Sequence, residues 1–277
     1  MNVDLTPVAP TDPDGRNVDL GRGPIHIIEE GEGPAVLLLH GIPGTTRDFR
    51  YLAPELAKRG LRPIRFDWPG FGESPLRSFR ATESRNRAAM VLRLADVLEL
   101  KQFAVVGHSF GGSPAMMTAA LFKERVWGLG LINSVGIHRH RAYPAVPKGW
   151  VNKLADGLDT PILSEVLTEV VRAGYRRRSL KSDFDAKKLA HHARLIAKLE
   201  FADHRWATRE ISCESLVASA QDDPLVEAEV SHALASSFGA QAVRRHLHFR
   251  RGGHNLQKTQ APRIAMHLAE IAASSRA

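Results

Sequence analysis

At 277 residues, with 43% hydrophobic and 25% charged side chains, the chain can bury a large core; it lacks the polar bias of a disordered segment and any apolar run long enough to span a bilayer. The single cysteine, Cys213, excludes a disulfide framework and a thiolate zinc site, and with no basic start or apolar leader at the N-terminus the expected location is cytoplasmic. The net charge of +8 is uneven: residues 137–210 hold 15 Lys and Arg against 9 Asp and Glu, the rest 23 against 21, and no nucleic-acid-binding motif accompanies the basic part, so no nucleic-acid partner is expected.

Residues 1–18, rich in Pro, Asp, Asn and Gly and without periodicity, read as a mobile tail. A strand is expected over 24–30, then a continuous apolar strand over 35–39 of the kind buried on both faces of a parallel sheet. It ends in His40-Gly41-Ile42-Pro43-Gly44. Phe49, Leu52, Leu56 and Ala57 predict a helix over 47–59, capped by Gly60, and a short strand follows over 62–66. The loop Asp67-Trp68-Pro69-Gly70-Phe71-Gly72-Glu73-Ser74 precedes a helix carrying Ala88, Val91, Leu92 and Ala95. Next come an apolar strand over 103–106, the turn Gly107-His108-Ser109-Phe110-Gly111-Gly112, a helix and a strand over 126–134. Alternation of this kind predicts an α/β fold, a mostly parallel central sheet with helices on both faces.

The rhythm breaks after Gly136. Residues 137–210 contain helical patterns and no credible strand, and are read as an inserted helical cap; residues 19–136 and 211–277 form the α/β core. A strand over 214–220, the sequence Gln221-Asp222-Asp223-Pro224, a helix over 227–237, a strand near 243–249, the loop Arg251-Gly252-Gly253-His254 and a helix from 262 to 273 complete the chain.

Ser109 stands on a strand-to-helix turn flanked by glycines two residues away on either side, the pattern of a nucleophile elbow; the plainer reading is a Gly-rich turn that contains a serine. A serine hydroxyl needs a base and a group to orient that base. Strand ends downstream supply His254 and an aspartate, in the chain order Ser, Asp, His. Asp223 is preferred to Asp222 as the orienting acid for its distance beyond the strand, and Asp222 is expected to start the next helix. The strand end at 131–134 offers only Asn133 and Ser134. Backbone N–H groups of Phe110 and Ile42 are the expected oxyanion donors. His40 is expected to brace its loop and His108 to pack beside the turn.

These motifs, in this order from about Ile25 to Ala273, resemble the α/β-hydrolase superfamily, in its branch of small capped esterases, haloperoxidase-like enzymes and C–C-bond hydrolases. The resemblance implies Ser109 as nucleophile, His254 as general base, Asp223 as orienting acid, Ile42 and Phe110 as oxyanion donors, and no cofactor or metal. Ala220 departs from the pattern, since relatives usually carry glycine there. Haloalkane dehalogenases and epoxide hydrolases of this fold attack through an aspartate, which Ser109 replaces. The expected activity is therefore hydrolysis of an ester or related acyl substrate through an acyl-enzyme. Alternatives are an acyltransferase or lyase with the same triad, or a ligand-binding receptor or scaffold with negligible turnover.

The cap is expected to close over Ser109 and select a small-molecule acyl substrate. Its basic clusters, Arg139-His140-Arg141, Arg176-Arg177-Arg178 and Lys187-Lys188, could attract an anionic substrate or membrane surface, though a solvated helix face balanced by Asp183 and Asp185 is the simpler reading. His138 with His140 and His191-His192 have no carboxylate at ligand spacing and are read as surface histidines. Tyr143, Trp150, Phe184, Phe201 and Trp206 are candidates for an acyl pocket.

Overall fold

In the computed structural model, which describes residues 10–21, 23–76, 83–143, 146–177, 183–240 and 244–275, the apolar stretches join into one eight-stranded sheet. Strand β1 (Arg16–Asp19) pairs antiparallel with β2 (Pro24–Glu29), Val18 lying opposite Ile25. The expectation of a mobile tail through residue 18 is thereby corrected. Its composition conceals two tethers, the ladder with β2 and the carboxylate of Asp12, which lies 2.6 Å from Arg65. The Arg65 side chain is 1% exposed and also meets Glu30 at 2.8 Å. A guanidinium so deeply buried requires carboxylate partners, and this demand draws the chain before β1 onto the sheet. Residues 1–9 lie outside the described residues.

Every position of β3 (Ala35–Leu39) is buried. The helix expected over 47–59 is instead a 3₁₀ turn, Thr46–Phe49, followed by α1 (Leu52–Ala57). Pro54 has no N–H for the carbonyl of Arg50, so a continuous helix cannot pass this point, whereas a proline in the first turn of α1 loses nothing. The chain continues through β4 (Arg62–Phe66), α2 (Ser84–Val97), β5 (Phe103–His108), α3 (Gly112–Leu121) and β6 (Val126–Ile132). Four helices follow: α4 (Lys148–Leu158), α5 (Ser164–Arg176), α6 (Ala186–Ala197) and α7 (Phe201–Glu210). The sheet resumes with β7 (Glu214–Ala220), then α8 (Ala228–Ser236), β8 (Arg244–Phe249), a short α9 (Leu256–Thr259) and α10 (Ala261–Ser274).

The strands lie in the order β1-β2-β4-β3-β5-β6-β7-β8, parallel from β4 to β8. From β3 the chain steps out to β4, then returns across β3 to place β5 on its other side. Loops leaving the C-terminal ends of β3 and β5 therefore diverge, and such a reversal opens a crevice above the sheet. Alternate side chains of β3 serve opposite cores: Leu37 and Leu39 pack with Val91 of α2 and Met116 of α3, Val36 and Leu38 with Leu52 of α1 and Leu268 of α10. Helices α4 and α6 share a smaller core of Val151, Ala155, Leu158, Leu189 and Ala193.

Candidate active site at the strand ends

Strand β5 delivers Ser109 into a left-handed backbone conformation, φ +53°, which a residue with a Cβ adopts only under constraint. The constraint is close packing. A Cβ on Gly107 would stand 2.4 Å from the Gly111 carbonyl oxygen, and one on Gly111 would stand 2.1 Å from the Leu39 oxygen. Both sites must be glycine for β3, β5 and the start of α3 to approach this closely. The Ser109 carbonyl accepts from Val135 N–H at 3.1 Å, tying the turn to the chain beyond β6.

At the end of β7, Asp223 is 4% exposed and its carboxylate meets His254 Nδ1 at 2.8 and 3.0 Å. The same carboxylate accepts from the N–H groups of Leu225 and Val226 at 2.8 and 3.1 Å. A proton on Nδ1 directed at this carboxylate leaves Nε2 as the acceptor nitrogen of the ring. Asp222 does not begin the next helix as expected; its carboxylate accepts from Gly252 and Gly253 N–H at 3.2 and 2.8 Å. Of two adjacent acids, one holds the imidazole and the other holds the loop that carries it. Among the described residues no hydrogen bond joins the Ser109 hydroxyl to His254. The two are linked through His108, which precedes Ser109, sets its ring 4.8 Å from that of His254 at a tilt of 54° and donates from Nε2 to the His254 carbonyl at 3.0 Å. Burial holds the His108 imidazole well below its usual pKa, so it stays neutral.

Sequence reasoning passed over Asn133. At the end of β6 its side chain donates to the carbonyls of Gly253 and His254 at 2.8 and 2.9 Å and accepts from Ala220 N–H at 3.0 Å. Its φ is +39°, and Asn tolerates this left-handed region better than most residues; the sequence alone carries no mark of it. Arg87 of α2 was also unforeseen: its guanidinium is buried over the rings of Phe110 at 4.5 Å and Trp68 at 4.8 Å, and burial lowers its pKa to about 9. His40 braces the loop after β3, donating from Nδ1 to Gly41 at 2.8 Å and accepting from Trp68 N–H at 3.1 Å. Burial pushes its pKa down to about 4.

Ile42, Ser109 and Phe110 line one cavity of about 330 Å³. Trp150, Val151, Leu154, Val171, Leu189 and Ile196 of α4, α5 and α6 form much of its remaining wall, and no described Lys or Arg lines it. Tyr143 and Trp150 reach it, whereas Phe184 packs on His192, Phe201 on Tyr143, and Trp206 lies beneath Arg85. Three histidines expected at the surface are not there; His191 is half-buried, its ring 5.7 Å from that of Phe71 and its Nε2 donating to the Pro69 carbonyl at 3.0 Å. His192 is buried, stacked on Phe71 at 4.7 Å, because it falls on the side of α6 facing the loop after β4. His140 lines the cavity, donates from Nδ1 to the Leu225 carbonyl at 3.3 Å, and leaves Nε2 without a protein partner.

Residues 34–261 match the family model described as alpha/beta hydrolase fold. Over 233 residues the chain is 30% identical to 2-hydroxy-6-oxo-2,4-heptadienoate hydrolase of Pseudomonas putida, covering 78% of this chain and 82% of that one. It is 33% identical over 115 residues to bifunctional epoxide hydrolase 2 of Sus scrofa, a match to 40% of this chain and 20% of that longer protein. A thermophilic esterase from Thermogutta terrifontis shares the fold, with a TM-score of 0.73 at 23% identity over 96% of this chain and 100% of that one. A family match across most of the sheet and a relative aligned over most of both chains have one reading: the chain belongs to the α/β-hydrolase fold family of enzymes.

Proposed function

We propose that the protein is a cofactor-independent serine hydrolase that cleaves a small, largely apolar ester or related acyl compound. One observation carries this: Ser109, held in a left-handed turn at the end of β5, lies on the wall of an apolar cavity, with the Asp223–His254 pair at a nearby strand end. In the first half-reaction His254 Nε2 takes the Ser109 proton as Oγ attacks the substrate carbonyl. The N–H groups of Phe110 and Ile42 receive the oxyanion, and Asp223 steadies the imidazolium. Collapse returns the proton to the departing alcohol and leaves an acyl-Ser109. Water then gives a proton to His254 and attacks the acyl carbon, releasing the acid and restoring the serine.

The helices between β6 and β7 act as a cap, supplying apolar walls. A lining without Lys or Arg among the described residues favours a neutral acyl group over one ending in a carboxylate, because a buried carboxylate without a cation is costly. Of the described members of the clusters foreseen as anion attractors, His140 lines this wall and no Arg or Lys does. A second reading, hydrolysis of a C–C bond beside a carbonyl, is favoured by the similarity to the Pseudomonas putida hydrolase. It uses the same serine and oxyanion donors with a carbon leaving group.

A fluorophosphonate probe should label Ser109 alone and nothing in Ser109→Ala, and that variant should lose at least about 1,000-fold in kcat on a p-nitrophenyl butyrate substrate. A folded wild-type protein that resists labelling would overturn the serine reading. Preference for a 6-oxo-dienoate over the ester would select the second reading.

A further inference from the structure

An apolar face of the helical segment is left open to solvent. On α5, Val166 and Val170 are 67% and 61% exposed, and Ile162 in the turn before it is 89% exposed. Ala173 and Arg177 continue the line of these two valines at helical spacing, so the stripe runs the length of α5. Other positions of α5, Val171 and Gly174, line the cavity. Helix α4, packed against α5, extends the patch: Trp150 is 65% exposed and Val146, just before the helix, is 51% exposed, yet both also line the cavity. Apolar surface outside and apolar cavity inside thus share a rim.

Cations frame this face. Lys153 Nζ lies 5.3 Å over the Trp150 ring, Arg177 ends the α5 stripe, and neither has an ion-pair partner among the described residues. Glu169, beside the stripe, is held by Arg172 at 2.7 Å and Arg176 at 3.6 Å, and Asp156 and Asp159 by Arg194 at 3.0 and 2.7 Å, while Glu165 has no ion-pair partner among the described residues. Exposed aliphatic side chains in a row, an interfacial tryptophan and unpaired cations are the features by which a helix lies on a charged lipid surface.

We propose that this face docks on an anionic phospholipid surface, from which an apolar ester enters the cavity past Trp150. A second copy of the chain fits the patch less well. A two-fold contact would have to strip water from Lys153 and Arg177 with few carboxylates on the same face to meet them, whereas anionic headgroups pair with these cations while they stay hydrated. No helix among the described residues is long and apolar enough to cross a membrane, so docking is peripheral.

Co-sedimentation of the full chain with phosphatidylcholine vesicles containing about 30% phosphatidylglycerol tests this without turnover, so its outcome is separate from that of the serine reading. Binding should weaken about tenfold on pure phosphatidylcholine or in about 0.5 M salt. The triple variant Ile162→Ser, Val166→Ser, Val170→Ser, whose positions are exposed and off the cavity wall, should melt like wild type and bind at least about tenfold more weakly. The pair Lys153→Gln and Arg177→Gln should lose the preference for anionic lipid while keeping residual binding to neutral vesicles. Failure of wild type to bind, or undiminished binding by the triple variant, would overturn the proposal. So would a dimer in analytical ultracentrifugation that the triple variant disperses, which would give the face to a second copy.

Discussion

Asn133 is the side chain on which the ends of β6 and β7 and the His254 loop meet, and it carries none of the proposed chemistry itself. Its amide satisfies one N–H and two carbonyls in a fully buried place. Asn133→Ala leaves the Ala220 N–H and the Gly253 carbonyl unmet and takes one of two donors from the His254 carbonyl, the other being His108 Nε2, and we expect a loss of about 3 kcal/mol of stability in urea titrations. Since Asn133 ties down the Gly253–His254 backbone, kcat should fall about tenfold or more with KM little changed. Asn133→Asp should be worse, because it turns an acceptor toward two carbonyls in a buried site. Ser109 stood out because it sits in a Gly-rich turn after the apolar strand β5, and His254 because it follows Gly252-Gly253 after the last strand, although β8 itself is polar. Asn133 was not, because its partners lie 87 to 121 residues away. His140 and Arg87 escaped for a similar reason: a histidine or arginine in a polar stretch carries no mark of the cavity or ring it will meet.

At the scale of elements, the His254 loop is a clamp built from β7 and β8. Asp222 anchors the Gly252 and Gly253 amides while Asp223 orients the imidazole, so the two acids should separate in kinetics. Asp223→Asn is expected to cost about 10⁴-fold in kcat by favouring the wrong imidazole tautomer. Asp222→Ala should cost about tenfold by loosening the loop, with Asp222→Asn recovering part because one acceptor oxygen remains. Stopped-flow turnover of the p-nitrophenyl ester measures both, and equal losses would show that the acids share one role. Most strands were plain in the sequence, since runs such as 35–39 are apolar at every position. Helix boundaries were less so. Pro54 split an expected helix, and β1 formed in a stretch whose composition argued for no structure, because pairing with β2 and the Asp12–Arg65 contact override local propensity.

For the whole molecule, buried neutral histidines set the acid limit of stability. Burial pushes His40 and His204 down to about 4 and His192 to about 3, from the ordinary 6.5. His204 is enclosed by the Gly136 carbonyl at 2.7 Å and the Ser113 hydroxyl at 2.6 Å. As pH falls below 6.5, the unfolded chain binds protons that the folded chain refuses, so this stability is complete above 6.5 and lost progressively toward 4. The melting temperature should drop by at least about 5 °C between pH 7.5 and 5, before most carboxylates protonate. A flat profile across that range would show that the three rings accept protons without unfolding. The alternation of strand and helix, the glycine-framed serine and the order Ser, Asp, His were determined by the sequence itself, because apolar periodicity and turn chemistry are local. The tertiary structure alone decided that His254 meets Asp223 rather than its neighbour, that Asn133 ties the strand ends, and that α5 keeps an apolar stripe uncovered. The direction of a side chain on a loop, and what covers a helix, depend on strands and helices brought together from far apart in the chain.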